Sequence, residues 1–126
     1  MSDPDKVSHL VIGSALRIHT RLGPGLFESV YHRVLCRDLR ARGLSVESKK
    51  PVSFEFEGLW FEGGFEADLV IEHCLIVEVK SVKQLVPIFE QQLLTYLRLL
   101  DYRVGLLINF NTVHLRDGIK RMVNNY

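Results

Sequence analysis

A chain of 126 residues is long enough to bury one core without staples, and with 47% hydrophobic and 25% charged residues it is not a disordered segment. The formal net charge of +1 excludes a globally basic surface, so any nucleic-acid contact must come from a local patch. Two distant cysteines, Cys36 and Cys74, exclude a disulfide framework or a CxxC zinc site. With no signal peptide and no run of membrane-spanning length, they point to a reduced, cytoplasmic chain that meets no membrane.

Val7, Leu10, Val11, Ala15, Ile18 and Leu22 recur at helical spacing and predict a first helix over 5–21, with Asp3 or Asp5 as its cap and Pro4 in its first turn. Gly23-Pro24-Gly25 ends it. A second helix is expected from Leu26 to Arg42, with an apolar stripe of Phe27, Val30, Tyr31, Val34, Leu35 and Leu39, and Gly43 as its stop. The period then drops to two. Val52, Phe54 and Phe56 alternate with Ser53, Glu55 and Glu57, and Glu57-Gly58-Leu59 reads as a turn. Residues 60–62 form a weak strand, and Gly63-Gly64 bends the chain before strands at 65–71 and 75–81. A strongly apolar helix is predicted over 87–101, opened by Pro87, and a buried strand over 104–110. Asp117-Gly118 is a turn between short segments 112–116 and 119–123, which fit either strands or a helical tail. The order implies a mixed α/β domain with helices packed on one sheet.

The stretch FEADLVIEHCLIVEVKS, residues 65–81, sets charges inside apolar strands. Alternation puts Phe65, Ala67, Leu69 and Ile71 on one face, and Glu66, Asp68, Val70 and Glu72 on the other. On the next strand Leu75, Val77 and Val79 oppose Ile76, Glu78 and Lys80. A turn centred on His73 pairs Ile71 with Leu75, which sets Asp68 across from Glu78 and Glu66 across from Lys80. Two carboxylates roughly 5 Å apart repel, and their burial costs several kcal/mol per ion. A divalent cation removes both objections, and hard oxygen ligands suit magnesium or manganese. Glu-x-Lys alone fits a solvated strand face better than it fits a site. Asp68 on the shared face is what turns the trio into a site.

Asp68 followed by Glu78-Val79-Lys80 on the next strand, between helices, resembles the PD-(D/E)XK nuclease superfamily. Gly25-Leu26-Phe27-Glu28-Ser29-Val30-Tyr31 is similar to the motif of the GxxExxY family of small nuclease-like proteins. Further blocks agree in order at 68–70, 78–80, 92–97, 105–110 and 118–121. The resemblance implies a restriction-endonuclease-like αβββαβ core, a central mixed sheet flanked by helices, in a single domain over 1–126. Residues 1–24 supply the N-terminal helix and its GPG break, and 25–121 the family-like core. It further implies metal-dependent phosphodiester cleavage of nucleic acid, expected to be DNA. Asp68 and Glu78 become metal ligands, Lys80 the catalytic lysine, Glu28 the first-helix carboxylate and Gln92 a site-facing glutamine with Tyr96 one turn on. The expected metal set is Asp68, Glu78 and the Val79 carbonyl, with Glu28 and Gln92 at its edge.

Local chemistry gives several of these residues a second reading. A glutamate at Glu28 also suits the helix dipole. Gln92 and Tyr96 share a stripe of an apolar helix, where a core hydrogen bond would satisfy them as well as a site would. Arg33, Arg37 and Arg40 form a basic stripe, followed by Arg42, Lys49 and Lys50. A solvated face explains it, and so do phosphate contacts. Lys120 and Arg121 are a second basic candidate. Tyr31 is expected in the core, His32 near Glu28, His19, His73 and His114 at the surface, and Cys74 as a small filler. The alternatives to a nuclease are an inactive nuclease-like module that binds nucleic acid or a protein, and a homodimer built on the apolar helix at 87–101.

Overall fold

The computed structural model describes residues 2–125. Helix α1 runs Pro4–Leu22 with Asp3 as its N-cap, whose carboxylate accepts from the Asp5 N–H at 2.9 Å. Helix α2 runs Glu28–Ala41, and Gly43 follows with φ +87°, a left-handed stop. Strands β1 (Val46–Phe56) and β2 (Leu59–Ile71) form a long hairpin, and β3 is Leu75–Lys80. Helix α3 (Pro87–Leu100) leads to β4 (Val104–Asn109), a short 3-10 helix at Leu115–Gly118 and β5 (Ile119–Val123). The strands lie in the order β1-β2-β3-β4-β5, with β3 and β4 parallel and the other neighbours antiparallel. The chain therefore has the expected restriction-endonuclease-like architecture of a mixed sheet between helices.

Each face of the sheet has its own core. On one face α1 and α2 bring Val11, Ala15, Ile18, Tyr31, Leu35 and Leu39 against Leu69, Leu75, Val77, Val79, Leu106 and Ile108. On the other, Leu93 and Leu97 of α3 cover Ala67, Val70, Ile76 and Leu107. The central strands β3 and β4 are covered on both faces, which explains their nearly unbroken apolar runs. Among the described residues no helix is long and apolar enough to cross a membrane.

Several expectations are corrected. Residues 60–62 and 65–71 are one strand, because Gly63 and Gly64 carry a register shift rather than ending the ladder. A Cβ on Gly64 would meet the Phe54 ring at 2.4 Å, so glycine lets that ring lie over β2. Strand β1 begins at Val46, six residues ahead of the alternating run from Val52 that announced it. The tail is a 3-10 helix and an edge strand. Phe27 is 83% exposed, and Val30 and Val34 are also exposed, so α2 buries only part of its expected stripe. On α3 only Leu93 and Leu97 are fully covered. His19 is not a surface residue: it is 7% exposed, and its Nε2 lies 2.8 Å from the Thr112 carbonyl.

Candidate active site

The turn at Glu72-His73, both residues at positive φ, sets the register as expected: Ile71 pairs with Leu75, Val70 with Ile76 and Leu69 with Val77. There the β2–β3 ladder ends and two carboxylates take over. The Asp68 N–H donates to Glu78 Oε2 at 3.0 Å, and the Val79 N–H donates to Asp68 Oδ2 at 3.0 Å. Side-chain oxygens thus replace the backbone carbonyls that would have continued the sheet, and the two acidic groups share the cleft between parting strands.

Side-chain alternation along β2 shifts at this point. Ala67 packs on the α3 side together with Val70, while Leu69 and Ile71 pack on the side of α1 and α2. On β1, Lys49 has φ +50° and falls between the pairs Ser48–Leu69 and Lys50–Ala67. The expected single face for Ala67, Leu69 and Ile71 is therefore wrong. So is the opposition of Glu66 to Lys80, since the β2–β3 ladder ends at Leu69–Val77 and does not reach either residue. Strict period two assumes an unbroken ladder, and this ladder is broken at the site.

Glu78 is 5% exposed. Burial, then the neighbouring Asp68 charge, pushes its carboxyl up to about 8, against the opposing pull of the Asp68 N–H and Lys80. Glu28 opens α2 at the solvent rim. Its inward side is covered enough that burial raises its pKa, with Asp68 adding and Lys80 and Lys49 opposing. Tyr96 of α3 is shifted up by burial and then by Glu78 and Asp68, while Gln92, one turn earlier, opposes. Phe65 stacks on Tyr96 at 4.2 Å. Lys80 Nζ stands 4.5 Å from the centre of the Phe89 ring, which holds the ammonium by cation–π attraction. The six residues Glu28, Asp68, Glu78, Lys80, Gln92 and Tyr96 thus converge from α2, β2, β3 and α3.

The donor set suits a hard cation. Asp68 and Glu78 each use one oxygen on a backbone N–H, and the other has no hydrogen-bond donor among the described residues. The Val79 backbone lies beside both. No group of three or more His, Cys, Asp or Glu side chains forms a metal cage among the described residues, so a third protein ligand would be a carbonyl such as that of Val79.

The basic stripe divides. Arg40 donates to the Val46 carbonyl at 2.7 Å and Lys50 pairs with Glu47 at 2.6 Å, so both are committed to β1. Arg121 is paired with Asp5. Arg33 and Arg37 line a groove of about 630 Å³ beside α2, and Lys49 acts on Glu28 and His32.

Sequence reasoning undervalued His32 and missed Ser48, Ser81 and Asn109. His32 is buried, its Nε2 lies 2.7 Å from Ser48 Oγ, and burial lowers its pKa although Asp68 pulls the other way. Its spacing of four from Glu28 was the available signal. Ser81 Oγ donates to the Leu26 carbonyl at 2.6 Å, which ties the end of β3 to the loop before Glu28. Asn109 accepts from the Val82 N–H and donates to the Val82 carbonyl, both at 3.0 Å, and so fixes the chain two residues past Lys80. Neither contact has a local sequence signature.

No curated protein and no solved structure matches the chain. A family model described as the PD-(D/E)XK nuclease superfamily matches residues 5–122, nearly the whole described chain and all the elements that build this cleft. With its acidic pair between parting strands and a lysine two residues on, the chain belongs to the PD-(D/E)XK nuclease superfamily.

Proposed function

We propose that the protein is a nuclease that hydrolyses phosphodiester bonds in DNA with magnesium or manganese held by Asp68, Glu78 and the Val79 carbonyl. The observation that carries this reading is the carboxylate pair between β2 and β3. Each acid has one oxygen fixed by a backbone N–H and one left over, and a lysine follows on the same strand. Members of the superfamily are usually nucleases, and these generally use divalent metals. When bound, a divalent ion would polarise the phosphodiester and acidify a water.

The chain's own residues have separate tasks. Asp68 and Glu78 present fixed oxygens, so little reorganisation is needed. Lys80, steadied over Phe89, stabilises the negative charge that grows on the phosphate oxygens. Glu28 at the rim, with its raised pKa, holds the attacking water and takes up its proton. Gln92 and Tyr96 offer hydrogen bonds to the phosphate from α3. Arg33, Arg37 and Lys49 hold flanking phosphates.

Cleavage of plasmid, single-stranded and branched DNA in magnesium tests the reading. The wild-type protein should cut at least one of them, and Asp68→Ala should fall to the metal-free background. Lys80→Ala should lose about 10²–10³-fold in rate. Equal background from all three proteins, with DNA still bound, would instead describe a binding module.

A further inference from the structure

Phe27 is the N-cap residue of α2 and exposes 83% of its surface, although its surroundings are firmly held. The preceding Leu26 N–H donates to Tyr31 Oη at 3.1 Å, the Leu26 carbonyl accepts from Ser81, and the Phe27 carbonyl accepts from the Val30 N–H at 3.0 Å. Tyr31 is itself buried and stacked on Phe110 at 4.6 Å. An aromatic ring is therefore held out in water on a fixed backbone, one residue before the Glu28 carboxylate. Such a ring is a stacking platform for a base, and stacking needs a base whose face is free.

On the same helix, the groove beside α2 carries Arg33 and Arg37, which form no salt bridge among the described residues. From Phe27 to Arg37 the helix rises about 15 Å, so ring and guanidiniums belong to one helix within that span. With a formal net charge of +1 the chain has no overall basic surplus, so phosphate contacts must come from local groups such as these. The other exposed aromatic group, Phe56 and Trp60 at the hairpin tip, is interleaved with Glu55, Glu57 and Glu62 and repels phosphate. We propose that Phe27 and the α2 groove bind an unpaired DNA strand, Phe27 stacking on a base and Arg33 and Arg37 holding the neighbouring phosphates. This rests on the nuclease reading and names its substrate class: single-stranded or locally unpaired DNA.

Fluorescence anisotropy of labelled oligothymidylate with the metal-free, full-length protein separates binding from cleavage. The oligothymidylate should bind more tightly than a blunt duplex of equal length. Phe27→Ala should weaken it about tenfold, and Arg33→Ala should weaken it and flatten its salt dependence. Phe27→Trp should restore binding, and in a Trp60→Phe background its fluorescence should be quenched by the bound strand, since Trp60 is the only tryptophan. Unchanged affinity in Phe27→Ala, a preference for duplex, or no binding of either probe would overturn the proposal. A protein that cuts DNA in magnesium but fails here loses only this inference. One that binds as described but cuts nothing loses only the nuclease reading.

Discussion

At the scale of single residues, Glu78 concentrates the physics of the site. It has little water around it and Asp68 beside it, and its carboxyl is pushed up to about 8 from the 4.5 of a free glutamate. Between those values the folded protein keeps a proton that the unfolded chain has lost. Folding therefore binds a proton, and stability must fall as pH rises across that window, being complete below it. Across the whole span the loss is on the order of a few kcal/mol. Thermal melts of the metal-free protein should show Tm declining between about pH 5 and about pH 8, and Glu78→Gln should largely remove the slope. A metal-free wild-type protein whose Tm rises through that range would contradict the assigned burial of this carboxyl.

At the scale of elements, the end of β3 is held in place by its neighbours. The Phe110 N–H donates to the Lys80 carbonyl at 2.9 Å, Asn109 clamps Val82, and Ser81 reaches Leu26. The short 3-10 helix presses on this arrangement from outside, because a Cβ on Gly118 would sit 2.4 Å from the Asn109 carbonyl oxygen. Gly118→Ala must therefore push on the end of β4 and on the Asn109 clamp. It should lower stability by about 1–3 kcal/mol in urea unfolding; an unchanged midpoint would mean that the 3-10 helix moves away freely.

The elements also show what was legible in the sequence. The turn centred on His73 was readable, and with it the register that brings Asp68 to Glu78. The position of Glu28 at the start of a helix was readable from GPG and the apolar spacing. The break of the β2–β3 ladder was not, since it depends on carboxylates from two strands displacing backbone carbonyls. The burial of His19 was not legible either, because its partner is the Thr112 carbonyl, 93 residues away. The stripe on α2 misled because Phe27, Val30 and Val34 have helical spacing without a neighbouring element to cover them.

At the scale of the whole molecule, two cores clamp a sheet whose middle is apolar on both faces, and the β2–β3 ladder opens where the acids lie. Arg40, Lys50 and Arg121 are spent on internal pairings, whereas Arg33, Arg37 and Lys49 form no salt bridge among the described residues. The fold thus keeps its charge local, as the net charge of +1 requires.

The most direct test is calorimetric titration of manganese into the metal-free protein near neutral pH, alongside Asp68→Ala and Glu78→Gln. Saturable binding to the wild-type protein that disappears in both variants is the predicted result. Binding that persists undiminished in either variant, or no saturable binding to the wild-type protein, would contradict an ion gripped between β2 and β3.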